Sequence, residues 1–411
     1  MAAATKYTPP CAKCEVIALC VKRIPSISPL ISTSANKIIT AKISARFRAA
    51  LTSVWANRLE NDGFNRLVLM GGLTGRESSI LRVAACMHEP HLLDMGKVNY
   101  WGYNPYLFMV PDPRYAEKDA VTELKTAIRE LHRNGIEVIL DVVYNHTAEG
   151  GEGGTTFNLK ALDSRYYIKH GCHYANFTGC GNTVDLTHQP ALNLVMDTLR
   201  YWVSEFQVDG FRFDLAATLG REGDNYNPEA AFFKAVAQDP VLKETKLIAE
   251  PWDIGPNGYQ VGNFPLGWNE CNDKLRDITR SFWRGDQGYL KEFATRLMGS
   301  RDIYSAAHWP YKLTVNYITY HDGFTMQDLV SYKHKHNEEN GENNRDGHGD
   351  NRSENYGVEG ETENLLVIAT REKQKRNFMA SLSICPARIL TASRAAHAVF
   401  PMSPKTAMTK V

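Results

Sequence analysis

The central part of the chain alternates between helical apolar patterns and short apolar runs. Between Asp119 and Asn134 the apolar residues recur at helical spacing, and Asn134-Gly135 predicts the end of that helix. The apolar positions of this helix are Val121, Leu124, Ile128 and Leu131. An apolar run over 136–143 follows at once and predicts a strand, and the helical pattern returns over 191–206 and 229–238, each time before another apolar run. This alternation predicts an α/β fold built as a (β/α) barrel.

Four of the apolar runs end in acidic residues, which are, in chain order, Asp141, Asp214, Glu250 and Asp322. A carboxylate at the end of a buried strand is costly to desolvate, so it seldom occurs there by chance. A single acid of this kind could be part of a strand-end salt bridge or a helix cap. Four in series predict strands that deliver their carboxyl ends to one shared face, where a barrel builds its active site. The spacing between Glu250 and Asp322 leaves room for one more strand, ending near Glu270.

Such a cluster of carboxylates favours the cleavage of glycosidic bonds. A retaining glycosidase needs a carboxylate nucleophile and, about 5 Å away, a second carboxyl group that acts first as an acid and then as a base. Arg212 lies two residues before Asp214, so both side chains point to the same side of a strand and the cation favours the ionised form of Asp214. Glu250 faces two other acids, which favours its protonated form, as a proton donor requires.

Composition is compatible with this interpretation. The chain has 411 residues, is 43% hydrophobic and carries a net charge of +1, so it can bury a large core and shows no global bias towards nucleic acid or membranes. It contains no apolar run long enough to span a bilayer. The eight cysteines are irregularly spaced, which is typical of a reducing compartment, and the Cys11/Cys14 pair has no second pair to complete a zinc site. We therefore expect no metal and no cofactor.

Five runs of residues are typical of one family. They are Asn99-Tyr-Trp-Gly-Tyr-Asn-Pro105, Gly179-Cys-Gly-Asn-Thr183, Gly210-Phe-Arg-Phe-Asp-Leu-Ala216, Ile248-Ala-Glu-Pro-Trp-Asp-Ile254 and the long run from His321 through Asp346. With these runs the chain resembles the α-amylase superfamily and, within it, the bacterial glycogen debranching enzymes of isoamylase type. The resemblance extends from about Glu89 to about Ser381 and implies a (β/α)8 barrel.

The resemblance also implies a role for each matching residue. Asp214 would be the nucleophile, Glu250 the general acid/base and Asp322 the stabiliser of the transition state. The residues implied to bind the sugar at the cleavage point are Tyr103, on which the sugar would stack, His146, Arg212 and His321. Asp141 and Asn145 match supporting residues that brace the site.

Two segments interrupt the regular alternation. Residues 147–185 are rich in glycine and aromatic residues and predict a long loop over the site. Residues 333–357 are almost free of apolar side chains, which is typical of a disordered loop, and their oxygens could also bind calcium, although the spacing of an EF-hand is absent. Because this segment follows Asp322, we expect a substrate-facing loop whose amides and acids hydrogen-bond glucose hydroxyls.

Both ends of the chain lack the family pattern. Residues 1–59 contain one acid against nine Lys or Arg, and no acid occurs from Lys373 onward. The first barrel strand should precede Glu89 and the last should follow Phe378-Met-Ala-Ser-Leu382, but neither is recognisable. We therefore expect a divergent N-terminal segment over 1–88, a catalytic core over 89–381 and a divergent tail over 382–411, with the barrel incomplete.

Two explanations for the ends compete. A basic, acid-poor N-terminus is typical of an organelle transit peptide. Ends that are read out of frame, or that come from a rearranged gene, explain both ends together, and we favour that explanation. On either account we expect residues 1–60 and 385–411 to pack loosely and to form no β-sandwich domain.

The sequence predicts a retaining hydrolase that cleaves α-1,6 branch linkages of glycogen or limit dextrin. Its partner would be a branched α-glucan, without nucleic acid or membrane, and its location the cytoplasm, or a plastid if the N-terminus is a transit peptide. One alternative is an inactive remnant of such an enzyme. Another is an α-1,4-glucan hydrolase or transferase of the same superfamily, which residues 335–346 disfavour.

Overall fold

A mainly parallel sheet organises the chain. The computed structural model describes residues 67–71, 77–304 and 314–385. Its strands are β1 (Leu67–Gly71), β2 (Glu77–Leu81), β3 (Ala84–Cys86), β4 (Pro105–Pro111), β5 (Ile136–Val142), β6 (Lys169–His170), β7 (His173–Tyr174), β8 (Gly210–Phe213), β9 (Arg221–Glu222), β10 (Asn225–Tyr226), β11 (Lys246–Ala249), β12 (Trp268–Asn272) and β13 (Thr314–Asn316). The principal sheet has the order β1-β2-β5-β8-β11-β12-β13. All neighbours in it pair in parallel except β1, which is antiparallel to β2.

Helices connect the parallel strands. They are α1 (Pro90–Asp94), α2 (Ala120–Arg133), α3 (Leu159–Leu162), α4 (Gln189–Phe206), α5 (Ala231–Gln238), α6 (Asp273–Arg284), α7 (Leu290–Leu297), α8 (Arg301–Tyr304), α9 (Met326–Leu329) and α10 (Leu365–Ile384). The three helices predicted from apolar spacing are confirmed as α2, α4 and α5. None of the described helices is both long and apolar enough to cross a membrane.

Local signals explain why α2 begins and ends where it does. The Asp119 carboxylate accepts hydrogen bonds from the backbone N–H groups of Val121 and Thr122, which would otherwise lack partners at the start of the helix. The helix ends at Asn134, and Gly135 adopts a φ of 73°, the left-handed conformation that glycine allows without strain.

The core lies between the sheet and its helices. All four residues of β8 are buried, as expected for a parallel strand that is covered on both faces. Trp202 of α4 is fully buried, and its indole N–H donates to the carbonyl oxygen of Phe108, 3.0 Å away. This hydrogen bond satisfies the polar end of the largest core side chain and links α4 to β4.

The strands predicted from the acidic run ends are also present, including β12 with Glu270 inside it. The parallel sheet begins on the N-terminal side of Glu89, because β2 pairs in parallel with β5. At the other end, α10 runs without a break across residues 381 and 382. Residues 1–60 and 386–411, on which our expectations for the ends depend, lie outside the described residues. Cys385, which we expected to pack loosely, is buried.

The two interrupting segments have a defined structure. Residues 147–185 contain α3 and the β6–β7 hairpin and are arranged around the fully buried Glu149. Its carboxylate accepts from the hydroxyl of Tyr167 and from the backbone N–H groups of Phe157, Asn158 and Lys160. Burial alone would raise the pKa of Glu149, but these hydrogen bonds outweigh it and lower the pKa. Residues 333–357 are also not a disordered loop, since Asn337 and Asp346 are buried and hydrogen-bonded to each other.

Candidate active site at the carboxyl ends of the strands

The acidic residues singled out in the sequence follow neighbouring strands. Asp141 lies near the end of β5, Asp214 directly follows β8, and Glu250 directly follows β11. Asp322 comes six residues after β13. Because these strands are parallel neighbours in one sheet, their carboxyl ends lie on the same edge.

Arg212 joins three of the carboxylates. Its Nη1 lies 2.9 Å from an oxygen of Asp141 and 3.3 Å from an oxygen of Asp214, and its Nη2 lies 3.1 Å from an oxygen of Glu250. Burial would lower the pKa of Arg212, but the negative charges of Asp141 and Glu250 raise it well above its usual range. The guanidinium therefore stays charged. The pairing of Arg212 with Asp214 agrees with the prediction from the sequence, whereas its contact with Glu250 was not predicted.

Hydrogen bonds from Asn145 and Leu215 help to fix the positions of Asp214 and Glu250. The side chain of Asn145 donates to the backbone oxygen of Asp214, 2.8 Å away, and to its carboxylate, 3.0 Å away. Next in the chain, Leu215 has a φ of 40°, a left-handed conformation that costs a residue other than glycine roughly 1–2 kcal/mol. The N–H of Leu215 donates to Oε2 of Glu250 at 2.9 Å. This hydrogen bond connects the residue that follows the nucleophile candidate directly to the acid/base candidate.

Asp141 lies between two arginines and a tyrosine. It pairs with Arg82 as well as with Arg212, and it accepts a hydrogen bond of 3.0 Å from the hydroxyl of Tyr103. Burial would raise the pKa of Asp141, but the two guanidinium groups outweigh it and lower the pKa. Asp141 is therefore held as a carboxylate.

Arg82 is the residue of this site that sequence reasoning missed. It lies in the stretch before Glu89 that resembles no family pattern, so no signal pointed to it. Its guanidinium carbon lies 3.1 Å from the centre of the Tyr103 ring and covers one face of that ring. Tyr103 itself is buried. Stacking of a sugar on Tyr103 therefore needs another face or a displaced Arg82, and it stays a prediction.

The two histidines differ in their surroundings. His146 is buried, with one ring nitrogen 2.8 Å from the backbone oxygen of Tyr103 and the other in contact with the side-chain oxygen of Asn145. His321 is partly exposed and connects the hydroxyl of Tyr103, 3.3 Å away, with the carboxylate of Asp322, 3.4 Å away. In this arrangement His146 supports Tyr103 and Asn145, so its predicted contact with a sugar stays a prediction.

The site is compact enough for a metal ion, but an arginine already lies among its carboxylates. One ligand atom each from Asp214, Glu250 and His321 lie within 4.8 Å of one another. The Arg212 guanidinium lies beside both carboxylates and offsets part of their negative charge. The arrangement therefore suits acid/base and nucleophilic chemistry by carboxyl groups.

One short family match covers the stretch of the chain that contains Arg82. The family model described as glutamate dehydrogenase, helical motif 3, matches residues 59–87. The described part of that range forms strands β1, β2 and β3. The match covers a small part of the chain, and the described residues of that range form no helix, so it does not indicate the family of this protein.

The remaining comparisons agree with one another. Over 313 residues the chain is 52% identical to the glycogen operon protein GlgX homolog of Mycobacterium bovis. The aligned region covers 74% of this chain and 43% of that protein. Over 324 residues it is 47% identical to a glycogen debranching enzyme of Erwinia tasmaniensis, covering 78% of this chain and 48% of that protein. The chain thus spans about half the length of the curated relatives it matches.

A solved structure is similar in fold. A pullulanase from Bacillus acidopullulyticus matches with a TM-score of 0.50 and 30% identity, over 61% of this chain and 32% of that chain. The parallel sheet described above is accordingly that of an α-amylase-type (β/α)8 fold, as the sequence predicts.

Proposed function

On the premise that this chain is a homologue of the bacterial glycogen debranching enzymes, we propose that it carries the catalytic core of a retaining glycoside hydrolase that cleaves α-1,6 branch linkages. One observation supports this above all others. Oxygens of Asp214 and Glu250 lie within 4.8 Å of each other, and both side chains are almost completely buried. Retaining glycosidases hold their two carboxyl groups about 5–5.5 Å apart, whereas inverting enzymes need about 6.5–9.5 Å to admit a water.

In the first step, a carboxylate oxygen of Asp214 attacks the anomeric carbon of the sugar at the branch. Glu250 gives its proton to the departing glycosidic oxygen, and a covalent glycosyl-enzyme intermediate forms. Arg212 and Asn145 favour the reactive state of Asp214, the first through its charge and the second by fixing the carboxylate orientation.

In the second step, Glu250 takes a proton from water, which attacks the anomeric carbon and releases Asp214 with net retention of configuration. Arg212, 3.1 Å from Glu250, favours the ionised form that this step needs. Asp322 and His321, next to each other at the edge of the site, would face the positive charge that develops on the sugar ring in both steps.

The substrate we propose is a branched α-glucan such as glycogen or limit dextrin. The relatives named glycogen debranching enzyme support this class, as does the run from His321 to Asp346. We further propose a cytoplasmic location. The eight cysteines are irregularly spaced along the chain, which suits a reducing compartment.

The test is the variant Asp214→Asn, assayed by reducing-end release from β-limit dextrin. We expect turnover to fall by several orders of magnitude with little change in stability, because the amide keeps the shape of the carboxylate but cannot attack. Asp197→Asn, whose carboxylate lies on the exposed side of α4, is the matched control and should leave turnover unchanged.

Retention of more than about a tenth of the wild-type rate by Asp214→Asn would remove this residue from the nucleophile role. Linear maltodextrin is the companion substrate. If the wild-type chain cleaves it faster than β-limit dextrin, the α-1,6 specificity is wrong and an α-1,4 activity takes its place.

A further inference from the structure

The helix α6 carries a buried arginine that packs against the segment containing Asp322. All of the hydrogen-bond acceptors described for this arginine are main-chain oxygens. Arg280 is 0% exposed. Its Nε donates to the carbonyl oxygen of Ile318 at 2.9 Å, its Nη2 donates to the same oxygen, and its Nη1 donates to the carbonyl oxygen of Asn351 at 3.1 Å. Burying a guanidinium against neutral acceptors is costly, so its presence here calls for a geometric reason.

Asn351 continues this set of contacts towards Asp322. It is buried, its side-chain oxygen accepts from the N–H of Phe324 at 2.9 Å, and its side-chain N–H donates to the carbonyl oxygen of His348 at 3.0 Å. The N–H of His348 in turn donates to the carbonyl oxygen of Asp322 at 2.6 Å. These hydrogen bonds therefore hold the main chain on both sides of Asp322. They form one connected set of contacts, which includes the Arg280 guanidinium.

We propose that Arg280 and Asn351 form a positioning clamp that fixes the main chain carrying His321 and Asp322. Neither clamp residue reaches the carboxylates of the site, so both act through the backbone. The catalytic consequence rests on the proposed function, in which Asp322 stabilises the transition state, while the clamp itself is a feature of the fold. The clamp also assigns a task to the polar segment 333–357, whose later part holds Asp322 in place.

A glycine next to the clamp offers a direct way to disturb it. Gly347 has a φ of +63°, and a Cβ added there would lie 2.7 Å from the carbonyl oxygen of Asp322. Alanine at this position would therefore push on the backbone of Asp322. Gly223 has the same φ of +63° and nothing within 4 Å of its added Cβ, so Gly223→Ala reproduces the backbone strain without the contact.

The experiment compares Asn351→Ala, Gly347→Ala and the control Gly223→Ala in the full chain. Arg280→Met would leave two buried carbonyl oxygens without a donor and risks unfolding, so the milder variants carry the test. Two quantities are measured: amide hydrogen exchange over residues 318–324 and at His348, and kcat and KM on β-limit dextrin.

We expect amide hydrogen exchange to become faster by about tenfold or more in both test variants and to stay unchanged in the control. We expect kcat to fall by roughly tenfold to a hundredfold, because small displacements of a catalytic group have effects of that size, and KM to change by less than about threefold. When Asp322→Asn is already present, adding Asn351→Ala should lower the residual kcat far less than Asn351→Ala lowers kcat in the wild-type chain. A general structural defect would lower both rates alike.

Unchanged exchange in both test variants would overturn the clamp, whether or not the chain cleaves branched glucan. Faster exchange with an unaltered kcat, in a wild-type chain that is active, would overturn the positioning role. If the wild-type chain releases no reducing ends from β-limit dextrin, the proposed function is what fails, and the exchange measurement alone decides on the clamp.

Discussion

The buried ion pair of Arg221 and Asp253 should be the most sensitive electrostatic contact near the site. Nε of Arg221 lies 2.9 Å from Oδ2 of Asp253, Nη2 lies 2.6 Å from Oδ1, and both side chains are 0% exposed. The pair connects β9 with the segment that follows Glu250, and the Arg221 guanidinium lies 4.3 Å from the ring centre of Phe177. It therefore joins three parts of the chain near the edge of the sheet that carries the candidate site.

Arg221→Met would remove the cation and leave the carboxylate of Asp253 buried without its partner. Loss of one member of a buried pair costs about 3–5 kcal/mol in free energy of unfolding. In a chain of 411 residues, an unfolding entropy of about 2.1 cal/mol/K per residue means that 1 kcal/mol shifts Tm by roughly 1–2 °C, so we expect Tm to fall by roughly 3–10 °C. Replacing both members by apolar residues, as Arg221→Met with Asp253→Leu, should restore part of the loss, because no uncompensated charge remains. The recovery is incomplete because the N–H of Gly255 and the carbonyl oxygens of Asp224 and Pro256 lose these hydrogen bonds.

Urea unfolding followed by tryptophan fluorescence, together with a thermal scan, would measure these changes. Arg165→Met is the matched control, because Arg165 pairs with Asp163 at 2.6 Å but its side chain is 77% exposed, and its removal should hardly move the midpoint. The reasoning from burial is wrong if Arg221→Met costs no more stability than this control. It is equally wrong if the double variant is less stable than Arg221→Met alone.

Two further predictions concern a titrating group and the covered tyrosine. Burial raises the pKa of Asp328 to about 7, against the opposing hydrogen bond from Thr325, so the folded chain binds this proton up to higher pH than the unfolded chain does. The free energy of unfolding of the wild type should therefore fall as pH rises from about 4 to about 7. The free energy of unfolding of Asp328→Asn should be higher than that of the wild type by up to about 4 kcal/mol at pH 8, and by little near pH 4. Urea unfolding across that pH range measures the difference. A difference that is independent of pH would contradict this. Arg82→Ala should uncover a face of the Tyr103 ring and lower KM for β-limit dextrin, with Arg82→Lys as the variant that keeps the charge beside Asp141. An increase in KM on Arg82→Ala would show that Arg82 supports binding.

The parts of this protein that could be predicted from its sequence are those with local causes. The helix α2 follows from its apolar spacing, from the cap at Asp119 and from Asn134-Gly135, all within the same short segment. The acid-bearing strand ends follow from apolar runs that stop at a carboxylate. Arg212 could be assigned to Asp214 because the two lie on one strand face.

The parts that could not be predicted depend on contacts distant in the chain. Nothing near Arg212 indicates that it also reaches Asp141 and Glu250, since those acids arrive on neighbouring strands. Glu149 looks like an ordinary loop acid, yet it is fully buried among backbone N–H groups that no side-chain motif reveals. Arg82 belongs to a stretch without a recognisable pattern, and only the pairing of β2 with β5 brings it to the site.

The hydrogen bond from the N–H of Leu215 to Glu250 has a consequence for stereochemistry. Because the peptide that follows the nucleophile candidate is anchored to the carboxyl group of the acid/base candidate, one main-chain amide contributes to the distance between the two reacting groups. Retention or inversion in a glycosidase is decided by that distance. The separation of the two groups therefore depends on a main-chain contact as well as on the carboxylates themselves. A chain that kept every acid but lost this contact would depend on the shared ion pairs with Arg212 to keep the two groups close enough to exclude a water.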